Sequence, residues 1–223
     1  MKPRQNLTIA AYERIMEMMI HYDIVPGQRL VFVDLAEQLG VSRTPVNNAL
    51  SILAKEGYLD FVPNQGYTVH RLTRREAEQL YEIREIMEIG TIGKAIRRIT
   101  PEAIAQLRNR KLAYEHAITR TVQRKLFVLD TDFHATVIEM TGNPYLADHY
   151  RDICKRIFLR FRVEALSIDR IHDIVKEHDQ LFEAVCIRDV DLTRELLRMH
   201  NQNARDNLFQ VIFAPELIAQ KIK

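Results

Sequence analysis

The turn residues of this chain are concentrated before residue 70, and this uneven distribution limits the possible folds. Four of the seven glycines and three of the seven prolines lie there at interior positions, namely Gly27, Gly40, Gly57, Gly66, Pro26, Pro45 and Pro63. Beyond Leu72 the apolar residues follow long helical periods, and Thr73 and Glu76 have the spacing of a capping box. The pattern predicts two domains, residues 1–72 and residues 73–223, and a mainly α fold.

Composition excludes several classes of protein. The 223 residues are 47% hydrophobic and 28% charged, without a low-complexity run, which indicates a folded globular chain. The first twenty residues contain no signal-peptide core, and no apolar run reaches membrane length, so we expect a cytoplasmic protein with no membrane partner. Cys154 and Cys186 have no metal or redox spacing, which fits a reducing compartment.

Short helices followed by a hairpin are predicted in the first domain. The stretch "VFVDLAEQLG" reads as a helix ended by Gly40, and Ser42 can cap the next helix. Two short helices joined by a tight glycine turn form a helix-turn-helix. The stretch "YLDFVPNQGYTVHR" then reads as two strands joined by a turn at Asn64 to Gly66. The hairpin could be structural padding, but its position favours a wing.

The helix that follows Ser42 has one apolar and one polar face. Val46, Ala49, Leu50, Ile52 and Leu53 share the apolar side on a helical wheel. The opposite side is rich in short hydrogen-bonding groups, which suit the reading of base edges, although a solvated face is the simpler alternative. Arg43, Thr44, Asn47, Asn48 and Ser51 lie on this polar side, and Gln65 and Gly66 lie at the hairpin turn.

The stretches "PGQRL", "DLAEQLGVSRTPVNNAL" and "LAKEGYLDFVPNQGYTV" resemble the amino-terminal signature of the GntR family of bacterial transcription regulators. The resemblance implies that the third helix enters the major groove of operator DNA and that the wing reaches the minor groove, with contacts from Arg43, Thr44, Ser51 and Gly66. We add Asn47, Asn48 and Gln65 as candidate DNA-binding residues. This sequence has Asn47 where the family usually has an arginine that reads a base. We therefore expect a changed operator, because arginine prefers guanine and asparagine prefers adenine.

About six helices are predicted in the second domain. Breaks are expected near Thr100-Pro101, Arg120-Thr121, Gly142-Asn143, Ser167 to Arg170 and Arg188-Asp189, and no strand-like alternation occurs. The expected architecture is an all-α bundle, in which apolar stripes form the core.

Four polar residues stand out in the apolar stripes of this bundle: Asp130, His134, His178 and His200. From the residues alone, Asp130 and His134 could be an acid/base pair, half of a metal site or two satisfied core residues. One carboxylate and three imidazoles on three helices could also converge on a divalent transition metal. The stretches that contain the four residues resemble the FCD effector domain of FadR-type GntR regulators, and that resemblance implies that they are metal ligands.

The resemblance also implies a small carboxylate effector. Arg84 is a candidate clamp because a guanidinium fork suits a carboxylate, but an ion pair with Glu88 or Glu85 is an equal alternative. Zinc is the first choice of metal, and nickel, manganese or iron would also accept these ligands. The expected protein is a homodimeric regulator, acting as a repressor. The alternatives are a metal-dependent enzyme acting on a small organic acid, and a DNA-binding dimer whose second domain is purely structural.

Overall fold

The computed structural model describes residues 4–119, 122–162 and 167–213, and these residues confirm the mainly α fold. Their Cα packing forms two compact units. The first unit comprises the residues up to Leu72 together with Leu159–Arg162. The second unit comprises the other described residues from Thr73 onward. The first unit contains the helices α1 (Arg4–Ile20), α2 (Phe32–Leu39) and α3 (Arg43–Lys55) and the strands β1 (Arg29–Leu30), β2 (Leu59–Val62) and β3 (Gly66–Val69).

The three strands form an antiparallel sheet in the order β1-β3-β2, in which Phe61 pairs with Tyr67. The hairpin between β2 and β3 is the one expected from the sequence, with positive φ at Asn64 (65°) and Gly66 (88°). The short strand β1 was not predicted, because two residues carry no measurable alternation.

Helices α2 and α3 begin and end where the sequence indicates. Gly40 closes α2 in the left-handed conformation, at φ 65°, which suits a residue without a Cβ. Four of the five apolar residues predicted on α3 are fully buried, but Ile52 is 38% exposed. Ser42 occupies the N-cap position of α3 as expected, but its side chain makes no capping hydrogen bond.

Six α-helices are described in the second unit, the number expected: α4 (Arg74–Arg97), α5 (Pro101–His116), α6 (Arg124–Glu139), α7 (Pro144–Phe158), α8 (Ile168–Cys186) and α9 (Val190–Leu208). Thr73 and Glu76 form the predicted capping box of α4. The break predicted for Ser167 to Arg170 is shorter than expected, because α8 already begins at Ile168. Ser167 is its N-cap, and the Ser167 side chain accepts a hydrogen bond from the Asp169 amide. The break predicted at Arg120-Thr121 lies outside the described residues.

Helix α7 is followed by a short segment that packs with the first unit. The amide of Leu72 donates to the carbonyl of Arg160 at 2.8 Å, and the Arg160 guanidinium donates to the Gly57 carbonyl. The same guanidinium lies 5.8 Å from the centroid of the Tyr58 ring. The first unit is therefore built from two separate stretches of the chain.

Candidate functional site

Asp130, His134, His178 and His200 meet inside the second unit. Helix α6 carries Asp130 and His134 one turn apart, while α8 supplies His178 and α9 supplies His200. One potential ligand atom from each residue lies within 4.8 Å of the other three, and all four residues are buried. The structure thus brings together the four residues that the sequence singled out as candidate metal ligands.

The Nε2 atoms of the three imidazoles face the same carboxylate. Asp130 Oδ1 lies 3.2 Å from His178 Nε2, 3.8 Å from His134 Nε2 and 3.9 Å from His200 Nε2. The Nε2 atoms of His134 and His200 are themselves 3.0 Å apart. Three nitrogens and one oxygen therefore surround a common point, which is the donor set that divalent transition metals accept.

Aromatic side chains from two helices wall this cluster. The Phe133 ring stacks on the His178 ring with their centroids 4.2 Å apart, and Tyr114 meets the same imidazole edge-on at 5.1 Å. Phe133 is also part of the main apolar core of the unit, with Leu107 and Leu181. The rings restrict the rotation of His178 and exclude bulk water, so the site is preorganised.

Burial determines the charge state of the cluster. Loss of water holds the pKa of His134 well below its usual range, and burial also lowers the pKa of His178. Burial by itself would raise the pKa of Asp130, but the close His178 ring and the Arg84 guanidinium outweigh it and hold this pKa well below its usual value. The ionised carboxylate and these two neutral imidazoles are in the forms that metal binding requires.

Unsatisfied atoms also fit a bound cation. Both ring nitrogens of His178 are buried, and neither makes a hydrogen bond of acceptable geometry with the described residues. A buried polar atom without a partner is costly, and a metal ion would provide the partner for Nε2. The chemistry of these four residues therefore suits a divalent transition metal.

Arg84 lies beside the cluster and is buried. Its Nε donates to Glu88 Oε1 at 2.9 Å, and its terminal nitrogen lies 3.5 Å from Asp130 Oδ2 and 3.3 Å from His200 Nε2. The alternative of an ion pair with Glu88 is thus realised, whereas Glu85 lines a cavity on the surface of the unit. The same guanidinium still approaches the candidate metal centre, so the ion pair and the expected carboxylate clamp are compatible.

Sequence reasoning named Glu88 only as a possible partner of Arg84 and missed the other polar residues that surround the four candidates. Glu88 accepts hydrogen bonds from Tyr150 and, at 2.6 Å, from Asn201. Glu177 accepts one from His200 Nδ1 at 2.7 Å. The available signal was the placement of Glu177 and Asn201 directly beside His178 and His200 in the sequence. Their partners come from distant helices, which the sequence does not reveal.

Two cavities adjoin this polar network. A cavity of about 280 Å³ is lined by Tyr81 and Asn201, together with acidic residues of α4. A more open cavity of about 620 Å³ is lined by Arg170, Glu177 and Asn203. Asn201, which is bonded to Glu88, and Glu177, which is bonded to His200, therefore each line a cavity.

The predicted DNA-binding residues lie in the first unit on α3 and at the hairpin turn. Arg43, Thr44, Asn47 and Asn48 are exposed and Ser51 is half-buried on α3. At the hairpin, Gln65 is exposed and Gly66 is half-buried. The polar side chains of α3 are thus accessible to a large partner, while its apolar side forms the core. None of the described helices combines the length and the apolar composition that a membrane span requires.

Comparison with known proteins places both halves of the chain in families. The profile of the FCD domain matches residues 79–203, and that of "Bacterial regulatory proteins, gntR family" matches residues 7–69. The chain is 29% identical over 195 residues to the Nta operon transcriptional regulator of Aminobacter aminovorans, covering 87% of this chain and 91% of that protein. It is 25% identical over 174 residues to the regulator McbR of Escherichia coli K12, covering 77% and 79%.

Solved structures share this architecture. The structure titled E. coli McbR/YncC superimposes with a TM-score of 0.79 at 24% identity, covering 92% of this chain and 97% of that one. A GntR regulator from Rhodococcus superimposes with a TM-score of 0.72 at 20% identity, covering 93% and 98%. At this identity the likeness concerns the fold.

Proposed function

This chain belongs to the GntR family of bacterial transcription regulators and carries an FCD domain, and from this premise we propose that it is a metal-dependent sensor of a small carboxylate. The regulator acts in the cytoplasm as a homodimeric repressor. Residues 1–72 bind operator DNA, with Leu159–Arg162 packed into the same unit, and the rest of residues 73–223 binds the effector and dimerises. The observation that carries the proposal is the buried convergence of Asp130, His134, His178 and His200.

These four residues would hold the ion, with zinc as the first candidate and nickel, manganese or iron as the others. When bound, the ion supplies a Lewis-acidic centre that attracts a carboxylate. The chain's own contribution is to keep Asp130 ionised, to keep imidazole lone pairs available, and to exclude water behind Phe133. Arg84 adds a fixed guanidinium 3.5 Å from Asp130, and this charge favours an anion at the centre.

Operator binding rests on α3 and the hairpin. The exposed residues Arg43, Thr44, Asn47 and Asn48 enter the major groove with Ser51, and Gln65 and Gly66 at the hairpin turn approach the minor groove. A two-fold dimer on a two-fold operator doubles these contacts, which compensates for a first domain with little net charge. The effector regulates transcription if it binds more tightly to one DNA-binding state of the dimer than to the other.

A double variant tests this proposal. We expect His178→Ala with His200→Ala to abolish stoichiometric metal, because two of the four donors are lost, and to abolish the response to carboxylates. The measurements are elemental analysis of the purified protein and fluorescence anisotropy of a DNA fragment taken from beside its own gene, with acetate, lactate, malate and citrate as effectors. The control is His172→Ala, an exposed histidine on the same helix.

Two results would contradict the proposal. The ligand assignment is wrong if the double variant keeps the metal content and carboxylate response of the wild type. If the purified protein binds no DNA fragment but converts one of these acids into a product, the alternative of a metal-dependent enzyme would be favoured.

A further inference from the structure

Glu177 is a buried carboxylate that contacts a candidate metal ligand from outside the cluster. It precedes His178 on α8, but its Oε2 accepts a hydrogen bond from Nδ1 of His200 on α9 at 2.7 Å. This contact is made by the nitrogen that faces away from the cluster, since His200 Nε2 points towards Asp130 and His134. The carboxylate therefore contacts the imidazole without competing for the ligand atom.

Among the described residues, the other two imidazoles of the cluster lack such support. His134 Nδ1 lies 3.7 Å from Glu88 Oε1, which is too far for a hydrogen bond. His178 Nδ1 has no hydrogen-bond partner in the described part of the chain. Among the described residues, a hydrogen bond from Nδ1 to a carboxylate is thus found for His200 but not for the other two imidazoles of the cluster.

Three donated hydrogen bonds hold the Glu177 carboxylate in place. Arg170, from the first turn of α8, donates to Oε1 at 2.7 Å and to Oε2 at 2.8 Å in a bidentate pair. Asn203, from the turn of α9 after His200, donates to Oε1 at 2.8 Å. A planar guanidinium fork and an amide leave the carboxylate little freedom to rotate, so its direction towards His200 is determined by α8 and α9 together.

We propose that Glu177 is a positioning residue of the metal centre, oriented by Arg170 and Asn203. By accepting the Nδ1 proton it selects the tautomer in which Nε2 of His200 carries the lone pair, fixes the ring, and raises the basicity of that ligand. This inference rests on the proposed function, because it needs an ion at the four-residue cluster. It assigns to Glu177 a role in metal affinity and geometry without direct contact to the ion.

The test uses cobalt(II), whose visible absorption reports coordination geometry, with the full-length protein stripped of metal. We compare the wild type with Glu177→Ala, Glu177→Gln and the matched control Glu183→Gln, an exposed carboxylate on the same helix. Cobalt affinity is measured by competition with a chromophoric chelator. We expect Glu177→Ala to weaken cobalt binding by about 10- to 100-fold and to change the visible bands. Glu177→Gln, which keeps an acceptor oxygen, should recover part of the affinity.

Unchanged affinity and unchanged bands in both Glu177 variants would overturn the inference. So would weaker binding with wild-type bands, since a merely structural role lowers stability without altering coordination. If Glu177→Ala does not fold, the isosteric Glu177→Gln decides by the same two measurements. Failure of the wild type to bind cobalt would instead contradict the proposed function, which makes the two failures distinguishable.

Discussion

At the residue scale, the distinguishing feature is a polar cluster that the helical bundle keeps away from water. Asp130 and the three imidazoles are at most 9% exposed, and the adjacent Arg84 and Glu88 are 6% and 3% exposed. Burying so many ionisable groups is unfavourable unless each is paired. Pairs such as Arg84 with Glu88, and Glu177 with His200, reduce this cost. Nε2 of His178, which has no hydrogen-bond partner among the described residues, is the atom that a metal ion would satisfy.

The depressed histidine pKa values predict how the metal-free protein responds to acid. The folded pKa of His134 and that of His178 lie below the usual 6.5, so the unfolded chain takes up protons first as the pH falls. Stability is therefore complete above about pH 6.5 and declines below it, by up to about 1.4 kcal/mol per pH unit for each histidine. Urea unfolding at about pH 7.5 and about pH 5.5 measures the difference.

The control for this prediction is His134→Asn, which removes one titrating ring. We expect a shallower decline of the unfolding free energy for this variant than for the wild type over the same interval. An equal decline in the two proteins would mean that His134 takes up protons as readily in the folded chain as in the unfolded chain, and would contradict the lowered pKa assigned to it.

At the scale of the elements, the helix starts of the second unit were the most predictable features. The Thr73 hydroxyl accepts a hydrogen bond from the Glu76 amide, and the Glu76 carboxylate accepts one from the Thr73 amide at 2.9 Å. Thr100 and Asp189 likewise cap α5 and α9. These contacts span three residues, so their sequence spacing is sufficient to predict them. Ser42 shows that residue type and position do not guarantee a cap, because its side chain makes no such hydrogen bond.

The capping box of α4 predicts a measurable loss of stability. Thr73→Ala removes the hydroxyl that accepts from the first turn of the helix, and we expect a decrease in unfolding free energy of about 0.5–2 kcal/mol. Thr73→Ser keeps the hydroxyl and should retain most of the stability. Urea unfolding followed by circular dichroism compares the three proteins. Equal losses in the alanine and serine variants would show that the hydroxyl is not responsible.

At the scale of the whole molecule, the chain contributes to the first unit twice. Leu159–Arg162 follow α7 directly, and they pack with residues that lie about a hundred positions earlier in the sequence. The predicted domain ranges, 1–72 and 73–223, did not include this return. Arg160 is 5% exposed and donates to a backbone carbonyl at the end of α3, so it joins the segment to the stretch that leads into β2.

Because Leu159–Arg162 pack in the first unit, we predict that Arg160 stabilises the end of α3. We expect Arg160→Ala to accelerate amide hydrogen exchange around Gly57 and Tyr58 by roughly tenfold or more, because a charged hydrogen bond contributes about 1.5–3 kcal/mol. Exchange in α8 and α9 should remain unchanged. Hydrogen exchange with mass spectrometry on the intact chain gives both values, and Arg162→Ala, an exposed neighbour, is the control. Exchange near Gly57 that matches this control would refute the prediction.

The amino-acid sequence by itself determined the features that depend on residues close together along the chain. Helical periods, glycine and proline positions and the Thr73 capping box predicted the mainly α fold, the helix-turn-helix with its hairpin, and six helices in the second unit. Residue type and spacing also singled out Asp130, His134, His178 and His200, because ionisable side chains in apolar stripes need partners. The resemblance to GntR and FCD proteins added the role that these residues could have.

Only the tertiary structure decided which polar groups meet. Asp130 and His200 are seventy residues apart, and their approach depends on how α6 and α9 pack, which no local pattern encodes. The same holds for Glu177 with His200, for Glu88 with Asn201, and for the return of Leu159–Arg162 to the first unit. Side-chain partners across helices are set by the packing of the apolar core, so the candidate ligands could be named from the sequence but the network that orients them could not.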